Sequence, residues 1–271
     1  MQNEQARWPW VTGILLAIGL GVWLFRPAAT GDASTASTSA SARVPVDSAA
    51  TGKPAAAAAS PVIAHPIEAD VAADAAIPAL ADSDAAAGSA LSDLVGDEGA
   101  MAILLRDHLV QRLVVLVDNL PERSITLRAL PYRPLATPIA TSQEAGRQVL
   151  DATANGQRYA PFVRAFVHVD AATLATAYRR FYPLFQQAYS ELGTKGYFND
   201  RLVAVIDHLL QTPVPNVPVA VEPASNGRLR FVDPALESLS VGQKALLRLG
   251  PEQAAAVKQQ LRAIREQIAR G

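Results

Sequence analysis

The chain has 271 residues, no cysteine and a formal net charge of -1 at pH 7. So even a balance gives no general electrostatic pull toward nucleic acid or anionic membrane, and the missing Cys excludes disulfides, zinc–thiolate sites and cysteine nucleophiles. Ala, Ser, Thr and Pro dominate the first third, which leaves roughly 190 residues to build one sizeable core.

Trp8 to Phe25, WPWVTGILLAIGLGVWLF, is an uncharged run bounded by Arg7 and Arg26. As a helix it spans about 27 Å, close to the thickness of a hydrocarbon core. Trp8 and Trp10 stand at one end and Trp23 at the other, where indole rings settle at membrane interfaces. A cleaved signal peptide is the rival reading. Small residues are needed at a cleavage site, and Val22 to Arg26 is bulky. The sequence therefore predicts a cytoplasmic tail over 1–7 and an uncleaved transmembrane anchor over 8–25. The lipid bilayer is the partner of that run. The charges of Arg7 and Arg26 barely discriminate orientation, and the short tail favours exporting the remainder.

Residues 26–84 are rich in Ala, Pro and Ser and show no apolar period, so they read as a disordered tether. A flexible coil of that size spans roughly 40 Å. His65 reads as a solvated bystander within it.

From about residue 85 to 271 the pattern is that of one mostly helical domain. Asp97 is placed to cap a helix with Met101, Leu104, Leu105, Leu109, Leu113, Leu116 and Val117 inward, ending before Pro121. Ile125–Leu127 reads as a short strand, and Pro138–Thr141 with Arg147–Leu150 as a small hairpin. Tyr159, Phe162, Val163 and Phe166 mark a short helix. Asp170 then caps the central one, striped by Leu174, Tyr178, Phe181, Phe185, Ala188, Tyr189 and Leu192, with a kink or break expected at Pro183. Of the aromatic residues beyond the apolar run, all but Tyr132 and Phe231 lie between Tyr159 and Phe198. Aromatic side chains bury the largest areas, so the core is expected there.

Asn199 is a candidate N-cap for a helix with Leu202, Val203, Ile206, Leu209 and Leu210 inward. Val217–Val221 and Arg228–Val232 read as a second hairpin. Asp233-Pro234 starts a short helix, Ser240 caps Gln243 to Leu249, and Gly250-Pro251 precedes a last helix to Ala269. The fold class expected is mainly α with small β-hairpins.

The chain carries no Gly-rich phosphate loop with Lys, no HExxH, no GxSxG and no SxxK. Polar residues gather at Asp118, Asn119, Asn199, Asp200, Arg201, Asp207 and His208. Asp200 and His208 share a helix face at i, i+8, and Asp with His can form an acid–base pair or part of a metal site. The plainer reading is that Asn199 and Asp200 favour a helix N-terminus while Asp207 and His208 bond to solvent or a neighbouring loop. No catalytic residue, metal or cofactor is assigned. His168 reads as a loop residue and Arg179-Arg180 as a solvated face.

Four blocks, VLVDNLPERS, RFYPLFQQAYSELG, GYFNDRLVAVIDHLLQTP and FVDPALESLSVGQKALLRLGPEQAAAVKQQLRAIR, resemble the bacterial family called domain of unknown function 3014. The resemblance covers roughly Leu91 to the C-terminus and departs at Leu192–Gly196, where a Tyr-Pro loop is usual. It implies a Gram-negative envelope protein and carries over no catalytic residues. The expectation is a single-pass inner-membrane protein with a periplasmic, non-catalytic domain that binds an envelope protein or polymer. The alternative is an enzyme on peptidoglycan or another envelope polymer, working through carboxylates such as Asp118, Asp200 or Asp207.

Overall fold

The computed structural model describes residues 62–67, 77–126, 130–133, 135, 138–225 and 228–269. The Trp8–Phe25 run, with Trp8, Trp10 and Trp23, lies outside them. Among the described residues no helix is long and apolar enough to cross a membrane. What is described is mainly helical, with two antiparallel hairpins.

In chain order the helices are α1 (Asp84–Val95), α2 (Glu98–Met101), α3 (Leu109–Asn119), α4 (Ala152–Val167), α5 (Ala171–Glu191), α6 (Phe198–Leu210), α7 (Pro234–Glu237), α8 (Val241–Arg248) and α9 (Pro251–Ile268). The hairpins are β1 (Thr141–Glu144) with β2 (Arg147–Leu150), and β3 (Val221–Pro223) with β4 (Leu229–Phe231). Helices α3 and α9 both pack on the α5–α6 pair, and α9 also packs on α4. Most buried apolar side chains from Leu80 to Ile268 form one core, and Leu150, Val221, Phe231 and Leu247 form a second, smaller cluster at the hairpins.

Helix α5 runs unbroken across Pro183, so the proline interrupts its bonding without ending it. Asp170 caps it, accepting from Thr173 N–H at 2.8 Å. Its aromatic stripe meets Phe198 at the start of α6: the Phe185 and Phe198 rings stack at 5.6 Å, and Tyr189 lies tilted at the same distance.

Several expected boundaries move, each for a local reason. Asp97 caps only the short α2, accepting from Ala100 N–H at 2.9 Å. The chain then leaves the helix because residues 103–105 pair with 131–133: Leu105 N–H donates to Pro131 O at 2.7 Å. It re-enters helix after His108, whose φ of 52° is left-handed. The cap of α3 comes from α1, where the Asp84 carboxylate accepts from His108 and Leu109 N–H, both at 2.8 Å. Ile125 and Thr126 form no strand, and Leu127 lies outside the described residues.

The first hairpin pairs Thr141–Glu144, later than expected. Its turn needs positive φ at both central positions, which Ala145 (48°) and Gly146 (75°) supply. Helix α4 starts at Ala152, earlier than its aromatic spacing indicates, because Asp151 caps it through Ala154 N–H at 2.8 Å. The second hairpin is shorter than expected, with Val221 opposite Phe231. Val219 and Ala220 also reach β2, where Leu150 N–H donates to Val219 O at 2.9 Å, while Ala220 O still accepts from Val232 N–H at 3.0 Å. Asn199 is not the N-cap of α6. Tyr197 holds that position, and Gln186 of α5 takes the first N–H, from Phe198, at 2.8 Å.

The tether assigned to 26–84 also ends earlier. Residues 80–82 form a 3-10 turn with Leu80 buried in the core, and Ile67 packs against it.

Candidate functional site

The polar residues that the sequence singles out do not converge on one site. Asp118 pairs with Arg201 at 2.8 Å, and Arg201 also donates to Asp118 O at 2.6 Å, tying α3 to α6. Asn119 turns back on its own helix, donating to Val115 O at 2.7 Å. Asp207 takes both arms of Arg265 on α9, at 2.5 and 2.9 Å. His208 Nε2 lies 2.9 Å from Ser240 Oγ at the start of α8. Partial burial pushes the His208 pKa down, and the Arg201 charge adds to that shift.

Asn199 and Asp200 hold a different partner. The Asp200 carboxylate accepts from Ala64 N–H at 3.1 Å and His65 N–H at 2.7 Å. Asn199 Nδ2 donates to His65 O at 2.9 Å and to Ile268 O at 3.0 Å. His65 is thus no bystander, since its backbone is bonded on both sides. Arg179 likewise is more than a solvated face, donating to Gln267 O at 2.8 Å and so joining α5 to α9. His168 Nδ1 rests 2.7 Å from Arg164 O.

A cleft of about 710 Å³ opens elsewhere, between β1, the loop 212–219, the end of α8 and the outer face of α9. Ligand sites commonly occupy 300–1,000 Å³. Glu144 and Asp151 stand on the hairpin wall, and Arg248, Lys258 and Arg262 on the helical wall. The loop contributes Val214 and Val217, both largely exposed. Lys258 Nζ donates to Thr212 O, so the base of the loop is pinned to α9. Burial pushes the Lys258 pKa down, and Arg262 adds to the shift. Asp118, Asp200 and Asp207 line neither this cleft nor the small apolar cavity of about 70 Å³ between α1, α3 and α5.

Behind the cleft lies what the sequence did not reveal. All eight residues of α8, VGQKALLR, are buried. Charged residues are almost never fully buried without partners, and here partners are present. Lys244 reaches Glu237 of α7 at 2.9 Å, and Glu237 also accepts from Phe231 N–H at 2.9 Å. Burial opposes ionisation of Glu237, but these hydrogen bonds and the Lys244 charge outweigh it and hold the pKa below the usual value. The Arg248 guanidinium sits 4.7 Å over the Phe231 ring, and burial lowers its pKa to about 10. Ser240 as a cap was the visible sign of this helix, which starts at Val241 and whose cap is a full box with Gln243; nothing in its composition announced full burial.

Among the described residues no group of three or more His, Asp or Glu is placed to hold a metal ion. Fold and site together define a mainly α domain whose first hairpin forms part of one wall of a lateral cleft. The chain belongs to the family described as protein of unknown function (DUF3014), whose model matches residues 109–265, more than half of its length. No curated protein and no solved structure matches it.

Proposed function

We propose that the chain is a membrane-anchored, periplasmic binding or scaffold module of the cell envelope and not an enzyme. One observation carries this reading: Asp118 and Asp207 each pair with an Arg of another helix and Asp200 binds the backbone of residues 64 and 65, all away from the cleft. A carboxylate that serves as acid or base must stand within reach of a substrate. The cleft is the surface offered for binding, and Arg262, exposed on its helical wall, favours a protein or polymer segment bearing carboxylates. The Trp8–Phe25 run supports the anchor.

The test has two arms. Alkaline phosphatase fused after Gly271 is expected to be active, and a reporter that works only in the cytosol is expected to stay dark; the opposite pair refutes the location. A photo-crosslinking residue at Val217, in the cleft, is expected to trap an envelope partner that the same residue at Glu191 does not, and Arg262→Glu is expected to weaken the adduct at least fivefold. The enzyme reading takes over if Asp118→Asn or Asp207→Asn keeps its melting temperature yet fails to rescue a deletion strain.

A further inference from the structure

The bonds that Asn199 and Asp200 make to residues 64 and 65 have the form of a peptide reader. One carboxylate accepts two successive backbone N–H groups, and the neighbouring amide donates to the carbonyl of the second residue. These contacts use main chain, which any non-proline sequence can present. Beyond these bonds the occupant packs one side chain, Ile67, against the core, while Val62 is 90% exposed and Ile63 41% exposed. Nor does it satisfy the site. Asn199 is fully buried, yet its Oδ1 has no hydrogen-bond partner among the described residues, and buried acceptors are rarely left so. The walls of the site belong to the region that matches the family, whereas residues 62–67 lie well outside that region.

We propose that the Asn199–Asp200 pair is a docking site for an extended peptide segment of a partner protein, occluded in this chain by its own residues 62–67. The strap holds the site through its attachment to the chain and the packing of Ile67. A segment of the same chain competes at an effective concentration on the order of millimolar, so a free peptide enters only when the strap is released. A better occupant presents the same pair of N–H groups and a further donor to Asn199 Oδ1. This site is separate from the cleft, and the proposal stands or falls independently of it.

The experiment uses the full chain in detergent and a labelled synthetic peptide with the sequence of residues 60–68. Ala64→Pro with His65→Pro removes both strap N–H donors and alters no buried side chain. This double variant is expected to bind the peptide at least tenfold more tightly than the unaltered chain does. Adding Asp200→Ala, with the melting temperature followed as a control, is expected to abolish that gain. A peptide carrying proline at the positions of Ala64 and His65 is expected to bind at least tenfold more weakly than the parent peptide. Equal binding of the two peptides, or no binding to the double variant at 1 mM, overturns the proposal. A dimer of the unaltered chain that the double variant loses, seen by sedimentation, replaces the partner protein with a second copy and also overturns it.

Discussion

Helices α5 and α8 are both held in the interior, by opposite means. Helix α5 buries a stripe of Leu174, Tyr178, Phe181, Phe185 and Tyr189 while Thr176, Arg180 and Gln187 stay exposed on its other face. Its burial follows from its own composition, because removing that much apolar area from water is favourable wherever the helix docks. Helix α8 has no polar face turned to solvent; its Gln243, Lys244 and Arg248 are buried with the rest. Neighbours put it there. Val241 and Gly242 N–H donate to Glu122 O and Leu120 O at 2.7 and 3.0 Å, Gln243 reaches His208 O at 3.2 Å, and Glu237 takes Lys244. An apolar stripe can select its own place in a fold, whereas a polar helix is buried only where partners already wait for each head group.

The sharpest way to break the α5 side of this contrast is Phe198→Ala, which removes the ring that Phe185 and Tyr189 share. Deleting a buried Phe costs about 3–5 kcal/mol, and in a domain of this size each kcal/mol lowers Tm by about 2–4 °C. Circular dichroism is the readout, because all three Trp lie within Trp8–Phe25 and their emission does not report on the domain. A loss of less than about 1 kcal/mol places the anchor of the core elsewhere.

On the α8 side the test is Gly242→Ala. A Cβ there meets Leu209 Cδ2 at 2.6 Å and Leu120 O at 3.1 Å, so either the Leu209 side chain or α8 itself must shift. Overpacking of this kind costs about 1–3 kcal/mol. An unchanged Tm means that α8 is not locked by close approach and that its hydrogen bonds alone hold it.

The smallest expected effect sharpens the comparison through pH. His208, bonded to the cap of α8, has a depressed pKa in the folded chain. As pH falls below about 6.5, the unfolded chain takes up this proton before the folded one, so stability declines. Glu237 is also depressed when folded and adds a second loss in the acid range, where the unfolded chain again protonates first. His208→Gln is expected to flatten the melting profile between pH 7 and 5 and to leave the lower decline. A profile unchanged by the substitution removes His208 from the account.

Legibility in the sequence follows the same physics. Helices α5, α6 and α9 were visible as apolar stripes, and Asp170, Asp233 and Ser240 were visible as caps, because each signal lies within a few residues of what it governs. Asp84 capping α3 was not visible, since a carboxylate 24 residues upstream carries no local mark. The Ala-rich α1 went unread at the start of the assigned domain, because small Ala side chains leave it only a faint apolar stripe. Among the polar candidates, Asp118, Asp207 and His208 were singled out as residue types, but their partners Arg201, Arg265 and Ser240 are set by helix packing. The cleft is assembled from a loop, a hairpin edge and two helices, none of which is unusual alone.

The placement of α9 has a consequence for how the chain is made. This helix follows α4, α5 and α6 in the chain and closes against all three. At about 5–20 residues per second, the ribosome needs about 1–4 s to add its 18 residues. Throughout that interval the apolar surface that α9 will cover has nothing to pack against. A stop codon anywhere before Pro251 therefore leaves a product that cannot close its core.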